Sequence, residues 1–296
     1  MTYRQTRLAP TPSGFLHLGN VLSFSVTAYL AEQTGARTLL RIDDMDRDRV
    51  HPEYIQDIFD TLRFLNIPFD EGPDDLPVFE SSFSQMHRQD LYKAALIQLQ
   101  QVKAVFACTC SRSQLAAESK DGIYPGTCRN KNIPLDAPDV AWRLFTDDRV
   151  ISIKDISGKH ITQQLPADMQ DFIVRKKDGY PAYQLSSLMD DLHWHVDLIV
   201  RGQDLLHSTI AQLFLAEVLN ERSFADVHFY HHPLLTSSDG QKFSKSAGAT
   251  SVFFLKNEGK TATDIFSIAG EMLGVQGVRS WRMLGEAVVG GGGGRV

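Results

Sequence analysis

The sequence predicts an α/β fold built on a parallel sheet, because strand-like and helix-like segments alternate over its first 65 residues. A short strand beginning at Arg7 runs into a Pro/Gly loop, and apolar residues from Val21 to Tyr29 then recur at helical spacing. Residues 38–42 form a second strand-like run, and an amphipathic helix begins beyond Pro52. This order implies parallel strands joined by right-handed crossovers.

The rest of the sequence divides the chain into four predicted parts. A helix over residues 85–101 completes the first half of the sheet domain, 1–105. Residues 106–175 hold every cysteine and several prolines, which indicates a loop-rich inserted subdomain. Alternating helices and strands then resume the sheet domain over residues 176–246. Residues 247–296 are predicted to be a short helical tail whose terminal glycine run is disordered.

Composition limits the classes of partner and the compartment. A net charge of -6 argues against nucleic-acid binding through a general positive excess, so any RNA contact must use local patches. Two candidates are Arg129 with Lys131 and the run of Arg175, Lys176 and Lys177, although either also fits solvated surface charge. No segment is typical of a signal peptide or a membrane span, which predicts a cytoplasmic protein without membrane contact.

A histidine-containing loop follows the first strand, over residues 10–20 with the sequence PTPSGFLHLGN. It is not a Walker loop, because Asn20 and Val21 stand where Lys and Ser/Thr would bind phosphate and magnesium. What remains is His17 and Gly19 at a helix N-terminus, where free N–H groups and the helix dipole favour a triphosphate. Taken alone, His17 fits a packed or capping histidine better than a catalytic one.

A lysine-rich segment lies near the other end of the sequence, over residues 239–246 with the sequence DGQKFSKS. Two lysines flanking a hydroxyl, Lys242 and Lys245 around Ser244, can neutralise charge on a departing pyrophosphate. The alternative for either lysine alone is an exposed basic loop. The pairing with the histidine loop at the other end of the chain favours the catalytic interpretation.

The two segments together resemble the HIGH and KMSKS signatures of class I aminoacyl-tRNA synthetases, with Asn20 in place of the last histidine. Over about residues 4–250 the resemblance narrows to the glutamyl branch, through the segments RLAPTP at 7–12, RIDDMD at 41–46, DGYPAY at 178–183 and VRG at 200–202. It implies a Rossmann-type parallel-sheet catalytic domain with an inserted zinc-binding subdomain. It further implies ATP and Mg²⁺, with catalytic roles for His17, Gly19, Asn20, Lys242, Ser244 and Lys245, of which His17, Gly19, Asn20 and Lys245 also bind ATP.

The same resemblance implies a glutamate site. Its residues are Arg7, Leu8, Ala9, Pro10, Thr11, Asp43, Tyr183 and Arg201. A dicarboxylate requires guanidinium partners, and its ammonium requires an anion such as Asp43. Two positions depart from the family pattern, which usually has Ser at Thr11 and Glu at Asp43. The shorter aspartate would place the amino group deeper or use a water.

The three cysteines indicate metal or thiol chemistry, because an odd count clustered within 21 residues does not suit a disulfide framework. Cys108, Cys110 and Cys128 supply three corners of a tetrahedral zinc site, and a fourth ligand is required. The alternative is three buried, reduced cysteines beside a core tyrosine. With Tyr124, the arrangement resembles the zinc site of glutamyl-Q tRNA(Asp) synthetases, which implies a structural Zn²⁺ completed by that tyrosine.

The acceptor follows from the length of the sequence. After Ser246 only 50 residues remain, which leaves no room for the anticodon-binding domain of a translational glutamyl-tRNA synthetase. The resemblance therefore implies a monomer that transfers L-glutamate to queuosine in tRNA(Asp). Three alternatives stay open: a truncated synthetase that charges a tRNA 3′ end, an amino-acid ligase that uses no tRNA, and a non-catalytic tRNA-binding paralogue.

Overall fold

A computed structural model describes residues 1–119, 123–235 and 251–291. Lys242, Ser244 and Lys245 therefore lie outside the described residues, as does most of the terminal glycine run. The strands are β1 (Gln5–Leu8), β2 (Arg37–Leu40), β3 (Val105–Cys108), β4 (Ala141–Leu144), β5 (Val150–Asp155), β6 (His160–Gln164), β7 (Ile173–Arg175), β8 (Leu198–Gly202) and β9 (His228–His232).

The helices agree with the predicted alternation. They are α1 (Leu18–Thr34), α2 (Pro52–Phe64), α3 (Leu76–Val78), α4 (Gln89–Gln101), α5 (Arg112–Glu118), α6 (Tyr183–His193), α7 (Leu206–Val218), α8 (Val252–Asn257), α9 (Ala262–Met272) and α10 (Trp281–Gly290). The predicted helix over 85–101 begins as a 3₁₀ turn at Gln85–Arg88 before it becomes α4. Within the described ranges, no helix is both long and apolar enough to cross a lipid bilayer.

The chain forms two compact units. The first contains Met1–His87, Val196–Asp204 and Phe229–Val296, and the second contains Arg88–His195 and Leu205–His228. This division groups segments by their internal contacts, whereas the four predicted parts describe consecutive stretches of sequence. The bounds of those four parts stay predictions.

A parallel strand pair organises the first unit, as the alternation of its segments predicts. β1 pairs with β2 in register from Gln5 opposite Arg37 to Leu8 opposite Leu40. β8 lies beside β1, where the Asp197 backbone N–H donates to the Gln5 carbonyl at 3.0 Å, and β9 is hydrogen-bonded to β8. Backbone bonds continue beyond the ends of β1 and β2, so this pairing brings the loops that follow the two strands together.

The tail of the chain packs against the helix that carries His17. α10 and α1 approach so closely that a Cβ atom at Gly285 would lie 2.3 Å from the Cβ of Tyr29 and 2.8 Å from the carbonyl oxygen of Ser25. Only glycine fits this crossing, because one contacted atom belongs to the backbone. The tail therefore supports α1 along its length.

The second unit has more regular structure than the predicted loop-rich insert. β3, β4 and β7 form an antiparallel sheet, and β5 pairs antiparallel with β6. The sequence analysis did not identify these strands within the segment that it described as loop-rich. They are three to six residues long and lie between prolines, and their partners are distant in sequence, so local patterning identifies them poorly.

A buried ion pair joins two helices of the second unit. The Arg88 guanidinium donates to both carboxylate oxygens of Asp190 in α6, at 2.7 and 3.2 Å, and the Tyr92 hydroxyl donates to the same carboxylate at 2.7 Å. Asp190 has no solvent exposure. The network fixes α4 against α6, the helix that begins at Tyr183.

We expect Gly285→Ala to lower the free energy of unfolding by about 1–3 kcal/mol, because the added methyl group overpacks the contact between α1 and α10. Gly290→Ala in the same helix is the control, since a Cβ there meets nothing within 4 Å. Urea unfolding of both variants and the wild type measures the difference. Equal stability of the two variants would contradict the close packing at Gly285.

Candidate active site

The predicted triphosphate site begins at His17, the residue that caps α1. The His17 Nδ1 atom accepts a hydrogen bond from the Gly19 backbone N–H at 3.1 Å, and the His17 backbone N–H donates to Asn20 Oδ1 at 3.0 Å. This reciprocal arrangement is a capping box, with histidine and asparagine in place of the usual residues. The capping interpretation of His17 therefore holds, and it leaves the exposed ring at the positive end of the helix dipole.

The cap explains two positions of the signature. A Cβ atom at Gly19 would lie 2.9 Å from His17 Cε1 and 3.0 Å from Nδ1, so a side chain there would displace the capping ring. Asn20 occupies the position where the family signature has its last histidine, and its amide oxygen closes the cap. The substitution at Asn20 thus preserves the geometry of the turn.

The described chain resumes after the lysine segment directly beside this turn. Ser251 forms an antiparallel bridge with His17, and the Val252 backbone N–H donates to the Leu16 carbonyl at 2.8 Å. The Phe15 and Phe253 rings stack with their centroids 4.3 Å apart and their planes 9° apart. The histidine loop is therefore adjacent to the first residues described after the lysine segment.

The predicted glutamate residues of the first unit lie at the ends of β1, β2 and β8. Arg7 is buried, and its Nη1 donates to the Val200 carbonyl, next to Arg201, at 3.2 Å. The Asp43 backbone N–H donates to the Pro10 carbonyl at 2.9 Å, which holds the loop after β2 against the segment that contains Leu8, Ala9 and Thr11. The parallel pairing thus brings these predicted residues together.

Asp43 has a partner that the sequence interpretation did not assign. The Arg41 guanidinium donates to both of its carboxylate oxygens, at 2.7 and 3.0 Å, and both side chains are buried. Such a bidentate pair neutralises much of the aspartate charge. Any substrate ammonium at Asp43 would share this carboxylate with Arg41.

Arg201 lies in an apolar and aromatic environment. It is only 3% exposed, and its guanidinium carbon lies 5.9 Å from the centroid of the Phe229 ring. Burial, the Arg201 charge and His232 together lower the pKa of His231 to about 3, so this histidine is neutral at pH 7. The remaining predicted glutamate residue, Tyr183, begins α6 in the second unit, with 43% of its surface exposed.

The cysteine cluster forms within the second unit as predicted. The three Sγ atoms lie within 4.8 Å of one another, and those of Cys110 and Cys128 are 3.6 Å apart. Two sulfurs bound to one tetrahedral zinc at ~2.3 Å would be separated by ~3.8 Å, so this spacing suits zinc. The Tyr124 hydroxyl accepts a hydrogen bond from the Cys128 backbone N–H at 2.8 Å.

The protonation of the cluster suits a cation as well. Burial alone would raise the pKa of Cys128, but hydrogen bonds from Thr109, Cys110 and Cys108 lower it to about 7. Burial and the neighbouring thiols raise the pKa of Cys110 to about 12, and burial with the two other cysteines raises the pKa of Tyr124. A divalent cation bound at the cluster would favour deprotonation of its thiols.

A cavity of about 390 Å³ lies beside this cluster. Three of its charged wall residues are in ion pairs: Arg129 binds Asp171, and the Arg149 guanidinium donates to Asp147 at 2.6 and 2.8 Å. Hydrogen bonds and the charge of Arg149 lower the pKa of Asp147 to about 2. None of the predicted glutamate or ATP residues that the structure describes lines the cavity.

Sequence reasoning missed three contributors to the site. Arg41 was part of a recognised segment but had no assigned partner, although a guanidinium two residues before Asp43 is a visible signal. Asp57 is a single charged residue among the apolar positions of α2, and its carboxylate binds the histidine loop. Ser251 had no signal, because its bridge to His17 is a backbone interaction between distant residues.

Comparisons with known proteins agree with this architecture. The family model for tRNA synthetases class I (E and Q), catalytic domain, matches residues 4–134 and 144–275. The glutamate–tRNA synthetase of Elizabethkingia anophelis superposes with a TM-score of 0.68 at 24% identity, over 84% of this chain and 53% of that one. A glutamate tRNA ligase of Elizabethkingia meningosepticum gives 0.74 at 20% identity, over 96% and 64%. These structures show the fold alone, and the chain spans only about half to two thirds of their length.

Curated relatives are closer in sequence and in length. The glutamyl-Q tRNA(Asp) synthetase of Methylococcus capsulatus is 37% identical over 246 residues, which cover 83% of this chain and 77% of the relative. That of Nitratidesulfovibrio vulgaris is 35% identical over 284 residues, or 91% and 86%, and that of Pseudomonas fluorescens is 38% identical over 241 residues, or 81% and 75%. The family match, the shared fold and these identities confirm the resemblance seen in the sequence. The chain therefore belongs to the class I glutamyl- and glutaminyl-tRNA synthetase family and, within it, groups with the glutamyl-Q tRNA(Asp) synthetases.

Proposed function

We propose that this chain activates L-glutamate with ATP and transfers the glutamyl group to queuosine in the anticodon loop of tRNA(Asp). In the first step an oxygen of the α-carboxylate attacks the α-phosphorus, and the bond from that phosphorus to the pyrophosphate oxygen breaks. In the second step a queuosine hydroxyl attacks the activated carbonyl carbon and loses its proton, and AMP departs. No covalent bond to the protein is required.

The adjacency of His17 and Ser251 carries the proposal. Adenylate formation asks the protein to align two substrates and to stabilise charge on a leaving pyrophosphate. The capped N-terminus of α1 offers N–H groups and a positive dipole end for the triphosphate. Ser251 follows Lys245 by six positions, and six residues span at most about 22 Å. The tether allows the lysine ammonium to reach the same triphosphate.

The buried arginines support a dicarboxylate as the amino acid. Arg7 and Arg201 are buried at the ends of adjacent strands, and guanidinium groups bind carboxylates in bidentate geometry. In this proposal the Arg41–Asp43 pair presents a carboxylate already held in one orientation to the substrate ammonium. Tyr183 stays a proposed glutamate residue on the strength of the sequence resemblance.

The names of the curated relatives support queuosine in tRNA(Asp) as the acceptor. The sequence identified Arg175, Lys176 and Lys177 as a local basic patch for RNA. Lys176 pairs with Asp178, whereas Arg175 and Lys177 donate to the main-chain carbonyls of Val140 and Thr109. These two cations have no carboxylate partner within the described residues, so they suit an RNA phosphate.

The remaining components are part of the same proposal. Cys108, Cys110, Tyr124 and Cys128 would hold one structural Zn²⁺, which leaves no open position for water or substrate. Mg²⁺ would accompany ATP, as expected for phosphoryl chemistry. A cytoplasmic location and a monomeric state stay predictions.

We expect Lys245→Ala to lower glutamate-dependent ATP–pyrophosphate exchange by about 10²–10³-fold, because one well-aimed donor in such a site contributes about 3–4 kcal/mol. Lys260→Ala, which alters an exposed lysine downstream, should keep the wild-type rate. Exchange with glutamate, glutamine and aspartate also tests the amino acid. A near wild-type rate for Lys245→Ala would exclude this lysine from the mechanism.

The acceptor is tested by incubating the enzyme, ATP and labelled glutamate with tRNA(Asp) that carries or lacks queuosine. We expect label only on the queuosine-containing tRNA, and nuclease mapping should locate it in the anticodon loop. Label that does not depend on queuosine would overturn the acceptor. A base-labile ester on the 3′ adenosine would identify a translational synthetase instead.

Metal analysis tests the cysteine cluster. We expect about one zinc per chain in the purified protein, and Cys110→Ser should lose most of it, because three protein ligands bind zinc more weakly than four. Elemental analysis and the thermal midpoint provide the two readouts. Full zinc content in a double Cys110→Ser, Cys128→Ser variant would contradict the assigned ligands.

A further inference from the structure

The short segment ahead of His17 is held from two directions. From α2, the Asp57 carboxylate accepts a hydrogen bond from the Leu16 backbone N–H at 2.8 Å. On the other side, the Leu16 carbonyl accepts the Val252 N–H at 2.8 Å, and His17 bridges Ser251. Both polar backbone groups of Leu16 are thus fixed, and the segment connects α2 with the first described residues after the lysine segment.

Asp57 is an unusual residue for its position in α2. Its neighbours on the buried face of the helix, Ile55, Ile58, Phe59 and Leu62, are apolar, and Asp57 itself is only 6% exposed. Burial raises the pKa of Asp57 above its ordinary value, and the hydrogen bonds from Leu16 and Thr61 oppose this shift only in part. An ionisable group on this face is unfavourable for folding compared with an apolar one, so its hydrogen bond to the loop requires an explanation.

An aromatic contact reinforces the same segment at the surface. The Phe15 and Phe253 rings stack with their centroids 4.3 Å apart. The Tyr54 ring from α2 packs edge-on against Phe15, with the ring centroids 5.1 Å apart and an interplanar angle of 83°. Phe253 is 38% exposed, so its ring contributes only in part to the buried core. The three aromatic side chains thus link α2, the histidine loop and α8. The Asp57 carboxylate and the Val252 N–H link the same elements through hydrogen bonds to the Leu16 backbone.

We infer that Asp57 and Phe253 are positioning residues for amino-acid activation, which hold the His17 turn and the return of the chain at Ser251 in one fixed geometry. This inference rests on the proposed function. Neither residue contacts a substrate in it; both act through Phe15 and Leu16. In-line attack on a phosphorus atom tolerates little displacement, and a shift of about 1 Å at a positioned group can lower a rate by about 10²-fold.

In this inference Asp57 holds the histidine loop by accepting the Leu16 N–H hydrogen bond, and its negative charge is not required. Asparagine at position 57 keeps an amide oxygen for the Leu16 N–H, and its NH₂ group can donate to the Thr61 hydroxyl, which now donates to Asp57 at 3.3 Å. Alanine leaves the Leu16 N–H without this partner. The two substitutions therefore separate positioning from charge.

The test measures kcat and KM in glutamate-dependent ATP–pyrophosphate exchange for Asp57→Ala, Asp57→Asn and Phe253→Ala, at a temperature where each is folded. We expect kcat to fall about 10–100-fold in Asp57→Ala and about 3–10-fold in Phe253→Ala, while KM for glutamate stays within about 3-fold. Asp57→Asn should keep kcat within about 3-fold of the wild type. Asp60→Asn, an exposed neighbour on the same helix, is the matched control and should not differ from the wild type.

Each other result overturns the inference. A wild-type kcat in folded Asp57→Ala removes the positioning role of Asp57, and an Asp57→Asn variant as impaired as the alanine variant assigns the effect to charge. If Asp57→Ala does not fold, a wild-type kcat in Phe253→Ala, whose partly exposed ring can be removed with less disturbance, is sufficient to reject it. Absence of exchange in the wild type would instead refute the proposed function, so the two failures are distinguishable.

Discussion

The proposed activity depends on a backbone contact between residues more than 230 positions apart. The His17 turn and Ser251 form an antiparallel bridge, and the Val252 N–H binds the Leu16 carbonyl. A histidine-capped helix end does not by itself indicate catalysis, since a capping histidine is an ordinary structural feature. The bridge supports a catalytic role, because it brings the first described residues after the lysine segment to a helix end whose N–H groups can bind a triphosphate.

Buried charge is the second constraint. Arg7, Arg41, Asp43 and Arg201 are all at least nine-tenths buried, and burying ions is unfavourable unless each has compensating partners. Arg41 and Asp43 compensate each other, while Arg7 binds a main-chain carbonyl. In the proposed function, the carboxylates of an acidic amino acid bind at these guanidinium groups. The shorter Asp43 is held by Arg41, so the departure from the family pattern comes with a fixed orientation of its carboxylate.

The sequence predicted the elements whose signals are local. Pro52 and the apolar periodicity of α2 located that helix, and the strand–helix alternation identified the parallel pairing of β1 and β2. The cysteine spacing likewise predicted a cluster that the structure assembles. The strands of the insert were missed because they are short and pair at long range. Asp57 and the bridge to Ser251 were missed for a related reason, since their partners are backbone groups, which carry no sequence signal.

The central claim is that the histidine turn and the lysine segment act on one triphosphate. A double-mutant cycle of His17→Ala and Lys245→Ala in the pyrophosphate exchange reaction tests it most directly. Groups that act on the same leaving pyrophosphate are coupled, so the account predicts that the double variant loses less rate than the product of the two single losses, by more than about 1 kcal/mol. Losses that multiply to within about 0.5 kcal/mol would contradict it, because they would indicate two independent sites.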